Sequence, residues 1–179
     1  MPIQSLAVFC GSKSGSNSVF TQHAGELGKL LAQHQITLVY GGGGKGIMKV
    51  IADNVMKDGG KVIGVIPKIL IDWEYQHKNI TQLIVTEDMH SRKKTIYSLC
   101  DAALVLPGGF GTLDELFEML TWNQLSIHDK RIFILNSGGY YDHLIRHLQM
   151  LEENNFLYEP LESRVKLLNE PGQLVSYLQ

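Results

Sequence analysis

A chain of 179 residues has room for one domain's core, and 44% hydrophobic with 19% charged residues is the balance of a chain that folds. Its 16 Lys and Arg against 18 Asp and Glu leave a net charge of −2, which argues against a protein whose main partner is nucleic acid. Two cysteines, Cys10 and Cys100, are too few for a disulfide framework or a cysteine zinc cage, and the amino-terminal stretch has neither the basic start nor the apolar length of a signal peptide or membrane span. The expectation is a soluble, cytoplasmic protein with residues 1–179 in one domain.

Short apolar runs alternate with longer helical patterns. Leu6 to Cys10 reads as a buried strand ending at Gly11. Ser16 or Asn17 caps a helix carried by Val19, Phe20, Leu27, Leu30 and Leu31. Ile36 to Tyr40 is a second strand, running into Gly41 to Gly44, and Ile47 to Met56 a helix stopped by Gly59-Gly60. Val62 to Ile66 is a third strand, ended by Pro67, and residues 68–79 read as a loop with one short helical turn. Thr81 to Thr86 is a strand, Met89 to Leu99 a helix, Ala102 to Leu106 a strand and Thr112 to Leu125 a helix. Arg131 to Leu135, Tyr141 to Glu153 and Val165 to Leu168 continue as strand, helix and short strand, with a last helix from Gly172. Strands of about five residues between helices of about ten or more predict a single Rossmann-like, doubly wound parallel α/β sheet with helices on both faces. Ligands of such sheets sit at the carboxyl ends of the strands, and three glycine-rich turns fall there: Gly11, Gly41–Gly46 and Gly108–Gly111.

Each motif has a plain reading beside the functional one. Gly41 to Gly46 matches G-x-G-x-x-G, but it follows the second strand and no acidic residue ends the third, so NAD does not fit. Gly46 stands where a Walker motif needs Ser or Thr. The loop serves equally as a tight turn or as a contact for an anion or ribose. Pro107-Gly-Gly-Phe-Gly-Thr112 is sharper, because three glycines before a helix let backbone N–H groups converge on a phosphate. Thr112-Leu-Asp-Glu115 is a capping-box pattern, and on the residues alone the cap is favoured. The alternative sets Glu115 as an ionised carboxylate one turn inside the ligand-facing helix end, able to stabilise an oxocarbenium-like centre or activate a water. Met89-His-Ser-Arg92-Lys93-Lys94 reads as a solvated basic patch or as an Arg poised to grip a phosphate or carboxylate. Ser12 is a turn residue or a hydroxyl facing the same crevice. His143 and His147, four apart without the zincin Glu, read as a surface pair, and no metal site is expected.

Together these segments resemble the LONELY GUY family of cytokinin riboside 5′-monophosphate phosphoribohydrolases, long labelled lysine decarboxylases. The resemblance runs from Val8-Phe-Cys-Gly-Ser12 to about Pro160. The family's P-G-G-x-G-T-x-x-E is Pro107 to Glu115, its M-x-x-R-K is Met89, Arg92 and Lys93, and its G-V-I-P is Gly64 to Pro67. One departure stands out: Lys49 occupies the last Gly of the family's G-G-G-x-x-G-x-M-G.

The resemblance implies hydrolysis of the N-glycosidic bond of an adenosine 5′-monophosphate, often N6-modified, to free base and ribose 5-phosphate. It implies Arg92 and Glu115 as the catalytic pair. Gly108, Gly109, Gly111 and Thr112 would bind the 5′-phosphate, and Ser12, Gly42, Gly43, Met89 and Lys93 the rest of the nucleotide. It implies a homodimer, with no metal or organic cofactor. Two rivals stay open: a nucleotide or cofactor carrier on the same fold, and the decarboxylase, for which no Schiff-base arrangement is evident around Lys45, Lys93 or Lys94.

Overall fold

In a computed structural model that describes residues 2–74 and 76–178, seven strands form one all-parallel sheet in the order β4-β3-β2-β1-β5-β6-β7. The strands are β1 (Ser5–Phe9), β2 (Thr37–Tyr40), β3 (Val62–Pro67), β4 (Gln82–Thr86), β5 (Ala102–Val105), β6 (Arg131–Leu135) and β7 (Val165–Leu168). The helices are α1 (Ser18–Gln33), α2 (Gly46–Lys57), α3 (Lys68–Glu74), α4 (Met89–Leu99), α5 (Phe110–Gln124), α6 (Asp142–Glu153) and α7 (Leu161–Arg164).

Period-two alternation along the strands builds two cores. Leu6, Val8, Leu38, Tyr40, Leu104 and Phe133 face α1 and α2. Ala7, Phe9, Val39, Val105, Ile132 and Ile134 face α4, α5 and α6. A sheet covered on both sides needs continuous apolar strands, which is why the short runs are legible in sequence. Asn17 is the cap of α1, its side chain accepting from the Val19 N–H at 3.1 Å.

Four elements differ from expectation. Residues 68–74 form a helix of two turns directly behind Pro67, whose missing N–H is no loss where a first helical turn would leave it unbonded anyway. Helix α5 begins at Phe110 with Gly109 as its cap residue, so Thr112 lies inside the first turn and no side chain caps the end. The Thr112–Glu115 capping box is therefore not formed. The chain closes on a 3₁₀ helix, Pro171–Tyr177, instead of an α-helix from Gly172, and α7 was not expected.

The sheet winds outward in both directions from β1, whose neighbours are β2 and β5. The crevice of such a sheet opens between the carboxyl ends of β1 and β5.

Candidate functional site

The glycine turns meet at that crevice. The Gly11 N–H donates to the Pro107 carbonyl at 3.0 Å, and the Met48 N–H to the Gly11 carbonyl at 3.3 Å. Gly46, in the left-handed region at φ +57°, lets α2 start directly against the Ser12–Lys13 backbone, where a Cβ would lie 2.4 Å from the Ser12 carbonyl carbon. Gly108 is equally constrained, since a Cβ there would lie 2.1 Å from Thr112 Oγ1.

Gly109 and Gly111 are different. A Cβ at either would meet nothing within 4 Å, and neither has a positive φ. Packing and backbone conformation within the chain therefore give no reason for glycine at these two positions. The first-turn N–H groups of α5, with no side-chain cap, open onto the same space.

A cleft of about 370 Å³ lies here, lined among others by Ser12, Lys13, Phe20, Gly108, Gly109 and Tyr140. The Tyr140 hydroxyl donates to the Gly108 carbonyl at 2.6 Å, and its ring meets the edge of Phe20 at 5.3 Å. Lys13 makes no ion pair among the described residues. Lys13 and Tyr140 line this cleft, and sequence reasoning missed both. They come from separate segments, and no spacing along the chain signals that they meet.

Arg92 and Glu115 come together. Arg92 Nη1 lies 3.2 Å from Glu115 Oε1, with side chains only 7% and 9% exposed. The Arg92 Nε–H donates to the Val65 carbonyl at 3.1 Å, and Nη2 rests on Gly41, where a Cβ would lie 2.2 Å away. Helix spacing puts Thr112 and Glu115 on one face of α5, and both are buried. The same i,i+3 pattern that reads as a cap thus aims a hydroxyl and a carboxylate inward.

Lys93, one residue on, faces α5 and pairs with Asp114 at 3.1 Å and with Glu118. Burial works to lower its pKa, but these two carboxylates outweigh it and hold the amine above the ordinary lysine value. Met89 opens α4 and is 36% exposed. Gly42 accepts at its carbonyl from the His77 N–H at 3.0 Å, and Gly43 pairs with Gln76. Gly42, Gly43, Met89, Arg92 and Glu115 lie outside the lining of the 370 Å³ cleft, which holds Ser12, Gly108 and Gly109. His143 and His147 are both exposed on α6. Larger hollows of about 560 and 690 Å³ at the amino ends of the strands hold none of the candidate site residues. Among the described residues, no helix is long and apolar enough to cross a membrane.

Residues 48–178 match the family described as "Possible lysine decarboxylase". The chain is 46% identical over 140 residues to the rice protein named "Probable cytokinin riboside 5′-monophosphate phosphoribohydrolase LOGL1", covering 78% of this chain but 63% of that one. It is 43% identical over 152 residues to the Arabidopsis thaliana cytokinin riboside 5′-monophosphate phosphoribohydrolase LOG1, covering 85% of this chain and 71% of the relative. Among solved structures it is similar to the Moco carrier protein from Chlamydomonas reinhardtii, with a TM-score of 0.72 at 20% identity over 97% of this chain and 93% of that one.

Proposed function

The chain belongs to the LONELY GUY family, the same family described as possible lysine decarboxylases, and on that premise we propose that it hydrolyses the N-glycosidic bond of an adenosine 5′-monophosphate, with or without an N6 substituent. The observation that carries the reading is the buried Arg92–Glu115 pair set one helical turn below an uncapped helix end whose glycines are open to a ligand.

Gly108, Gly109, Gly111 and Thr112 bind the 5′-phosphate through backbone N–H groups and the threonine hydroxyl, with Lys13 as counter-charge. Ser12, Gly42, Gly43 and Met89 line the remainder of the nucleotide. Glu115 holds the ribose hydroxyls and orients a water. As the C1′–N9 bond breaks, its carboxylate offsets the positive charge that grows on the sugar. Water supplies the hydroxyl to C1′, and the base leaves with the bonding pair and takes up a proton. Arg92 orients Glu115 and stabilises the departing base or the phosphate. Lys93 supports the site instead of touching substrate: its ammonium, held by Asp114 and Glu118, ties α4 to α5 and keeps Arg92 in register with Glu115. The same pairing favours the protonated amine and leaves Lys93 a poor Schiff-base nucleophile.

We place the protein in the cytoplasm, in keeping with two buried, unbridged cysteines. We also propose a homodimer, supported by Phe117, Leu125 and Ile127, which leave apolar surface exposed along α5 and just beyond it. Incubation with AMP, followed by chromatography, should give adenine and ribose 5-phosphate in equal amounts. Tight AMP binding with no base released would favour the carrier reading.

A further inference from the structure

Resting on that reading of the site, the geometry points to His77 as a positioning residue that fixes the Gly42–Gly43 wall of the nucleotide pocket, with Asp53 and Lys49 as its anchor; this wall ends β2, two strands away from the phosphate cradle at the end of β5, and so faces the base. Residues 76–79 cross the Gly42–Gly43 turn like a strap. Gln76 pairs with Gly43, and the His77 N–H donates to the Gly42 carbonyl at 3.0 Å. On its inner side the turn is closely backed by the sheet. Gly42 sits at φ +75°, and a Cβ there would already press on Ile66 and Leu83 at 3.2 Å.

The His77 ring is 6% exposed and bonded at both nitrogens. The Asn79 N–H donates to Nδ1 at 3.2 Å, so the ring proton sits on Nε2, which donates to Asp53 Oδ1 at 2.9 Å. Lys49 pairs with the other oxygen of Asp53. Partial burial pushes the Asp53 pKa up, and the hydrogen bonds from Lys49 and His77 outweigh it and hold the carboxyl below its usual range. A chain of contacts thus runs from Lys49, at a position where the family usually has Gly, through Asp53 and His77 to the two glycines at the end of β2. Arg92 rests on the residue just before them, Gly41. The role of Lys49 is to hold the strap and not to touch the nucleotide.

The test compares binding of AMP with binding of ribose 5-phosphate, which lacks the base, by calorimetry on the full chain carrying Glu115→Gln, so that AMP is not consumed during the titration. His77→Ala should raise the AMP Kd about tenfold, the upper range for loss of a positioning hydrogen bond. Ribose 5-phosphate should move less than about twofold. His77→Asn, whose Oδ1 can accept from the Asn79 N–H but which is too short to reach Asp53, should recover part of the AMP affinity. Lys49→Gly and Asp53→Ala should each weaken AMP, and each should add nothing to His77→Ala, as expected of one connected chain. An equal loss for both ligands, additive effects, an unchanged AMP Kd in Lys49→Gly, or a His77→Asn variant as weak as His77→Ala would overturn the assignment. Wild-type protein that binds AMP without releasing adenine would end the hydrolase reading and leave the binding series to decide His77. Failure to bind AMP at all would end both.

Discussion

Gly41→Ala isolates the position of Arg92 from its chemistry. Gly41 has no positive φ, so alanine fits the backbone, and a shorter list of unfolded conformations would by itself stabilise the protein by about 0.4–1 kcal/mol. The new methyl, however, would stand 2.2 Å from Arg92 Nη2, with Arg92 Cζ and Met48 Sδ both at 3.4 Å. Only the guanidinium tip is in real conflict, and it must withdraw by about 1 Å, a displacement that commonly costs about 10²-fold in rate. Lengthening the 3.2 Å contact to Glu115 and the 3.1 Å bond to Val65 loses about 1 kcal/mol of stability, close to the unfolded-state gain. The expected result is a melting temperature within a few degrees of wild type and AMP hydrolysis slowed about a hundredfold. The assay is chromatographic adenine release beside a thermal melt, with Gly172→Ala, which meets nothing within 4 Å, as the control. Hydrolysis within twofold of wild type would show that the seat of Arg92 on Gly41 has no bearing on the reaction.

Glu115→Gln keeps the shape and should still bind AMP, with turnover down by about 10²–10³; undiminished adenine release would remove Glu115 from the mechanism. Arg92→Ala is the less informative variant, because opening a buried pair costs about 3–5 kcal/mol and melting would fall along with activity. Gly109→Ala and Gly111→Ala should leave the melting temperature unchanged or slightly higher while raising KM for AMP at least about tenfold, since only a ligand competes for that space. An unaltered KM would mean the phosphate sits elsewhere. Asp101 gives a pH dependence. Partial burial works to raise its pKa, but the Gln4 and Ser5 N–H groups and the Ser5 hydroxyl, each at 2.9 Å, hold it below the usual carboxylate range. A depressed folded value means these bonds stabilise fully above the unfolded carboxyl pKa of about 3.9 and fade as pH falls through the folded one. Asp101→Ala should therefore lower the melting temperature at pH 7 by about 2–4 °C, after allowance for its solvent exposure. The gap should close as the medium is acidified past that range, and a gap independent of pH would refute the linkage.

Much of this molecule is legible one residue at a time. A parallel sheet covered on both faces demands unbroken apolar strands, so runs such as Leu6 to Cys10 and Ala102 to Leu106 declare themselves. Their glycine-rich ends declare the edge at which a ligand enters. What chain order could not decide was the purpose of Thr112 and Glu115. A cap and an inward-facing pair share one spacing, and the choice depends on whether the helix starts at Thr112 or at Phe110. Contacts from outside the segment bear on that choice: Gly11 packs against Gly108, just ahead of the helix, and Arg92 reaches from α4 to Glu115. The same limit hid the 68–74 helix, the place of Tyr140 against Gly108, and the line from Lys49 through Asp53 to His77. Periodicity records which side of an element faces the core. Which polar groups meet across the carboxyl ends of six different strands is settled only when the sheet is assembled, because their separation in sequence carries no energy until folding makes them neighbours.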